Sequence, residues 1–340
     1  MPDTLASSAR PRRAAGSDFA PLARRVRDSG LLERRRGYYA AAITGNLLAT
    51  VAIWLAVALA DRAWWAVALA VPAAVASART GFLGHDAGHR QIARTPRVNR
   101  WLGLLFGNLL TGLSHGWWND KHNRHHANPN QVGKDPDVAA GVLVWTAEQA
   151  AERNGFARHQ AYLFFPLLTF EGWALRVAGV LDLRNRPMRR RIGEGALLAV
   201  HAAGYFALAF TLLAPAQAVA FVLLHQAVFG LHLGCAFAPN HKGMAMPAPG
   251  ERWDHLRSQV LTSRNIRGGR ITDWLLGGLN YQIEHHLFPS APRCNLRRIR
   301  PLVREHCARV GLPYTETGLL ESYRQALGHM HRVGATLRQS

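Results

Sequence analysis

Cysteine is scarce in this chain. Cys235, Cys294 and Cys307 are the only 3 in 340 residues, and no two form a CxxC pair. Their spacing excludes a zinc ribbon and argues against an intrinsic iron–sulfur cluster or a disulfide framework. Lysine is as rare: Lys121, Lys134 and Lys242 are the whole complement, so arginine supplies nearly all of a formal net charge of +20. A charge of that size invites a nucleic-acid reading, but its distribution speaks against one, because the basic clusters sit at the ends of apolar tracts. Part of the arginine and alanine excess reflects coding bias. A cleavable signal peptide is not expected either. The basic lead is long, and the apolar stretch after it exceeds an ordinary signal core. No internal repeat stands out.

What the chain does have is long apolar runs. Residues 1–37 hold nine arginines against four acids and read as a basic cytoplasmic segment, partly disordered, ending in a short interfacial helix. Residues 38–60 then carry no charge. At a rise of ~1.5 Å per residue such a helix spans a hydrocarbon layer of roughly 30 Å. The run 64–83 leads back after the short turn "DRA", with Trp64 and Trp65 suited to the water–lipid boundary. A second pair follows at about 194–213 and 217–238. The clusters "RNRPMRRR" (184–191) and Arg90, Arg94, Arg97 and Arg100 fall on one side, while the outer turns hold only Arg62. The positive-inside bias therefore puts both termini, the middle segment 84–193 and the C-terminal segment 239–340 on the cytoplasmic side, as in a bacterial cytoplasmic membrane. Within the middle segment, 99–118 and 162–180 are apolar but interrupted, and read as interfacial or half-buried helices. The expected fold is an all-α integral membrane protein: four transmembrane helices in two hairpins under a cytoplasmic helical cap.

The cap carries the chemistry. Seventeen histidines are many for one chain, and three clusters stand out: "GHDAGH" with His85 and His89, "HNRHH" with His122, His125 and His126, and "QIEHH" with Gln282, His285 and His286. Helical residues at i, i+3 and i+4 share a face, so each box presents its side chains as one stripe. A lone HxxxH is expected about once by chance in so histidine-rich a chain, and a lone HxxHH far more rarely. Three such boxes at one membrane face are not coincidence. Imidazole suits iron, zinc, copper and nickel, and one zinc takes three or four ligands. Seven box histidines therefore imply two metals. Two irons in a histidine-rich shell suit dioxygen activation and removal of hydrogen from an unactivated C–H bond. A bilayer supplies a matching substrate in the acyl chain.

At "HDAGH", "HNRHH", "FAPNHKGM" and "NYQIEHHLFP" the sequence resembles the membrane fatty acid desaturases, most closely the front-end type, from about His85 to Tyr314. The glutamine at the head of the third box resembles the front-end mark. The resemblance implies a di-iron centre, an acyl substrate (acyl-CoA, acyl-carrier protein or lipid-linked), O2 as co-substrate, and His85, His89, His122, His125, His126, His285 and His286 as iron ligands. His241 of "PNHKGM" fits the place of a further family histidine. Gln282 is then either a weak ligand or a hydrogen-bonding neighbour of one. Many front-end members carry a fused haem domain. No histidine precedes His85 here, so a separate electron donor is expected, such as a ferredoxin with its NAD(P)H reductase.

Asp86, Asp120, Asn240 and Glu284 are candidates to accept the free N–H of a ligating histidine, as are Asp135 and Asp137. His115, Trp117, Trp118 and Trp274, with Phe82 and Leu83, are candidates for an acyl tunnel. His225 and His232, seven residues apart within the fourth span, suit packing or hydrogen bonding better than metal binding. The expected reaction is formation of a cis double bond. Hydroxylation or acetylenic bond formation at the same site, and a zinc-dependent membrane hydrolase, are the rival readings.

Overall fold

In lipid an uncharged tract can satisfy its backbone only internally, and the helix is the one-segment way to do so. The computed structural model describes residues 17–152, 156–335 and 337, and these are mostly helical. In chain order the helices are α1 (Phe19–Asp28), α2 (Arg36–Leu59), α3 (Ala70–Gly88, continuing a 3-10 turn Trp64–Leu69), α4 (Pro96–Gly103), α5 (His115–Ala127), α6 (Ala147–Ala151), α7 (Gln160–Leu168), α8 (Glu171–Asp182), α9 (Met188–Leu212), α10 (Pro215–His241), α11 (His255–Leu261), α12 (Arg270–Leu275), α13 (Gln282–Leu287), α14 (Arg293–Arg309) and α15 (Leu319–Ala335). Among the described residues one sheet occurs, a parallel pair of β1 (Asn265–Ile266) and β2 (Glu316–Thr317).

Among the described residues four helices are long and apolar enough to cross a membrane: α2, α3 with its lead-in, α9 and α10. They are not equivalent. Half of the apolar window of α3 and of α10 is buried, against 11% for α2 and α9. The inner pair is therefore α3 and α10, with the other two left to face lipid. Small residues allow the close approach: Ala60, Ala66, Ala70, Ala73, Ala209 and Ala218 share one cluster with Val57, Leu213 and Phe221. The first outer turn is tight, with Asp61 and Arg62 both at positive φ. Gln217 ties the two hairpins together, its amide bonding the Arg62 carbonyl and the Ala214 N–H.

All four helices outrun the apolar tracts that announce them. α3 continues to Gly88, α10 to His241, and α9 starts at Met188, so that "MRRR" is its first turn. Polarity ends an apolar tract but does not end a helix. The two interrupted middle segments are broken, as their composition suggests. The first divides into α4, a wide π-turn (Leu104–Leu109) and α5, stitched by Thr111 Oγ to the Phe106 and Gly107 carbonyls. The second divides into α7 and α8, with a bend of 85° between the two helical stretches.

The basic lead differs from expectation. Residues 1–16 lie outside the described residues, and α1 is not an isolated interfacial helix. Leu22 and Val26 pack into the cap with Leu256, Leu296, Ile299 and Val303, and Asp18 pairs with Arg257 at 3.0 Å. The amphipathic stripe of α1 buries against protein.

Candidate metal centre

The two inner helices run in the same direction, so their C-terminal ends emerge on one side. α3 delivers His85 in its last turn and His89 at its cap, and α10 delivers His241 as its final residue. α5 lays the second box across them. Its N-cap Ser114 accepts from the Trp117 N–H, and Glu194 of α9 accepts from the Gly116 N–H at that same helix start. Gly88 lets α5 approach: a Cβ there would lie 2.7 Å from the Trp118 ring. Trp118 in turn stacks on His122, with ring centres 4.3 Å apart. The third box is the six-residue α13, every residue of which is buried.

These elements bring all eight candidate histidines together, sorted into two groups. The ligand nitrogens of His85, His89, His122 and His285 lie within 4.8 Å of one another, and so do those of His125, His241 and His286. The second and third boxes each give a member to both groups. His126 bridges them: its Nε2 is 3.1 Å from His122 Nε2, and its ring stacks on His286 at 4.1 Å.

Hydrogen bonds on the far side of the rings fix the tautomers. His125 Nδ1–H donates to Asp135 at 2.8 Å, His241 Nδ1–H to the Thr262 carbonyl at 3.0 Å, and His286 Nδ1–H to Gln259 Oε1 at 2.8 Å. Each therefore turns an Nε2 lone pair inward. His85 Nδ1 faces Asp86 at 3.4 Å, and Asp86 also pairs with the buried Arg293 at 2.9 Å. Burial first, then the neighbouring imidazoles, hold His89, His122, His126, His285 and His286 well below the ordinary histidine value. That favours the neutral imidazole, which keeps one nitrogen lone pair for a cation.

Nε2 of His85, His285 and His286 is buried with no hydrogen-bond partner, while His89 and His122 place their Nε2 atoms 2.9 Å apart. Lone pairs converging without donors are repulsive and costly, and a shared cation removes the cost. The donor set fits a metal, and two groups fit two ions.

Other candidates fall in different places. Asn240 donates to the Gln282 carbonyl at 3.2 Å, so the Gln282 amide nitrogen faces His241 Nε2 at 2.8 Å. Asp120 does not touch a histidine; it lies on the surface, paired with Arg186. Glu284 also turns away, accepting from Asn265 at 2.7 Å and Tyr314 at 2.8 Å, and burial pushes it up to about 7. Asp137 pairs with Lys121 and lies 3.5 Å from His125 Nδ1.

A mostly apolar cavity of about 420 Å³ meets the histidines, with His85, His122, His125, His241 and Gln282 in its wall. His115, Trp117, Trp118 and Phe82 line it as expected. Burial, with Arg100 nearby, holds His115 down to about 4. Trp274 and Leu83 do not line it. Trp274 is half-exposed under the Arg79 guanidinium, and Leu83 packs with Tyr39 and Phe106. His225 bonds Ser77 and Tyr205, and His232 bonds the Leu275 carbonyl, both away from the cluster. Gln259, the Thr262 carbonyl and Arg293 went unforeseen. Nothing in their local sequence marks them.

Residues 62–318 match the family model described as "Fatty acid desaturase". The chain is 32% identical to an acyl-lipid (9-3)-desaturase of Physcomitrium patens over 81% of its own length and 55% of that protein's. It is 30% identical to the Delta(6)-fatty-acid desaturase fat-3 of Caenorhabditis elegans over 93% and 74% respectively. A Delta(8)-fatty-acid desaturase of Helianthus annuus is 30% identical over 71% of this chain and 56% of that protein. The chain thus spans little more than half of the moss and sunflower proteins.

Proposed function

This chain belongs to the fatty acid desaturase family, and we propose that it inserts a cis double bond into a fatty acyl chain at a centre of two irons. The carrying observation is the division of seven histidines into two ion-sized groups, with His126 between them, at the wall of an apolar cavity. His85, His89, His122 and His285 would hold one iron, His125, His241 and His286 the other, with His126 between them. Bound irons supply dioxygen activation and hydrogen removal, a chemistry imidazole-rich sites suit. The balance is –CH2–CH2– with O2, two electrons and two protons, giving –CH=CH– and two waters.

The chain's own residues do the rest. Asp135, Thr262 and Gln259 hold the inward tautomers of their histidines. Gln282 stands at His241: its amide nitrogen meets Nε2 and its carbonyl accepts from Asn240, so an ion on Nε2 would displace that amide and leave Gln282 as a hydrogen-bonding neighbour of the centre. Phe82, Trp117 and Trp118 give the acyl chain an apolar wall and keep water from the reacting carbons. The arginine-rich segments lie at the histidine-bearing ends of the spans, and the positive-inside bias supports a site on the cytoplasmic side. The same basic face suits an acidic electron donor, a ferredoxin served by an NAD(P)H reductase.

The test is expression in a host of known lipid composition, with fatty acid profiling by mass spectrometry and metal analysis of the purified protein. The expected product has two hydrogens fewer than its precursor, depends on His125, and comes with about two irons per chain. A hydroxylated product, or one zinc and no iron, overturns the reading.

A further inference from the structure

Two of the chain's three lysines stand in the wall of the cavity, and no arginine among the described residues lines it. Lys121 precedes His122 on α5, and Lys242 follows His241 at the end of α10. Both ammonium groups therefore start one residue from the histidine cluster. Asp137 joins them: its carboxylate takes Lys121 Nζ, and its backbone carbonyl takes Lys242 Nζ at 2.7 Å. Lys242 also lies 3.8 Å from the centre of the Trp145 ring.

An ammonium carries three N–H donors. Among the described residues each lysine has one hydrogen-bond acceptor and one aromatic ring, Trp117 at 5.8 Å for Lys121 and Trp145 for Lys242, which leaves at least one donor on each without a protein partner. Donors set unpaired into a mostly apolar cavity are unfavourable unless an acceptor arrives with the ligand. An acyl chain offers one such acceptor near its head, the carbonyl oxygen. Asp137 and Glu171, both in the wall, bring two negative charges to the two positive ones. The pocket is thus close to neutral and suits a carbonyl dipole better than a free carboxylate. Lysine suits this place because it is a compact group with donors in three directions, where a guanidinium is flat and wide.

We propose that Lys121 and Lys242, fixed by Asp137, bind the ester or thioester carbonyl of the acyl substrate and so set how many methylenes separate it from the irons. The proposal rests on the acyl desaturase reading and names the groups that would measure the chain. It is tested on the whole protein in lipid nanodiscs with matched probes: stearoyl-lysophosphatidylcholine against its octadecyl ether, and stearoyl-CoA against S-octadecyl-CoA. The wild type binds the carbonyl member of one pair about tenfold more tightly, the scale of a hydrogen bond to a charged group, and the pair that responds identifies the carrier. The double variant Lys121→Met/Lys242→Met loses that preference, and in cells it scatters the double bond over several positions while retaining iron. Lys134→Met, an exposed control outside the cavity, changes neither. If the double variant fails to fold, Lys121→Gln and Lys242→Gln singly show an intermediate preference. An unchanged preference, or a single unchanged double-bond position with iron retained, overturns the proposal. A wild type that prefers the carbonyl probes yet forms no double bond supports the lysine site and sinks the desaturase reading.

Discussion

The two histidine groups are held by different means. In the second, His125, His241 and His286 each give an Nδ1 proton to a separate acceptor: Asp135, the Thr262 carbonyl and Gln259. In the first, His85 is the one member with a hydrogen-bond partner beyond the histidines, among the ring bonds of the described residues, and that bond is long at 3.4 Å. The first group relies on packing instead. Trp118 stacks on His122, and Gly88 makes room for it. One candidate ion site is thus set by directed bonds and the other by shape. Shape-held rings can adjust, whereas bond-held rings keep their tautomer and angle.

The change expected to erase the contrast is His126→Ala, which removes the ring between the groups. Activity falls to background, and metal analysis finds less than about one iron per chain. Matched carboxylate variants should then separate the two sites. Asp135→Asn lowers metal affinity about 10–100-fold, read as iron retained during chelator titration. Asp86→Asn acts on the fold, because it leaves Arg293 as a buried unpaired charge; about 3–5 kcal/mol of stability is lost, read by denaturation of the metal-free protein. If both variants changed only iron retention, the distinction between the sites would fail. Gly88→Ala pushes Trp118 off His122 and costs about 1–3 kcal/mol, with a fall in activity and little change in the iron held by the second group.

Acid gives the mildest test. His89, His122, His126, His285 and His286 have folded-state values below the unfolded value of about 6.5, so the unfolded chain binds more protons as pH falls. Stability of the metal-free protein is therefore flat above about pH 7 in this respect and declines below about 6.5. Glu284 has the opposite sign, because its raised value of about 7 makes its charge unfavourable above neutrality. Glu284→Gln should stabilise the protein at pH 8 and leave it unchanged near pH 4, as melting curves at the two pH values would show.

Much of this was legible in the sequence, and the limits have physical causes. Helical periodicity placed each box on one stripe, and apolar tracts announced the four long helices. Periodicity could not say that a stripe divides between two histidine groups, since that depends on which helix lies opposite. Glu284 was misjudged because neighbours on a helix point about 100° apart, so a carboxylate beside His285 in sequence faces elsewhere in space. Asp86, beside His85, meets it only at long range for the same reason, and its better partner, Arg293, comes from α14. A backbone carbonyl such as that of Thr262 carries no side-chain signature. Trp274 is aromatic and near the third box, yet a cation from α3 holds it outside the cavity.

The length of α10 has one more consequence. Its 27 residues make a rod of about 40 Å, roughly 10 Å longer than the hydrocarbon layer is thick. His241 is the last residue on that rod, so in the proposed reading the helix would act as a ruler that sets how far the metal centre stands beyond the hydrocarbon layer. A substrate methylene at that centre would then have been lifted out of the bilayer into the protein. One residue inserted in α10 just before Asn240 would raise His241 by about 1.5 Å and turn it by about 100°.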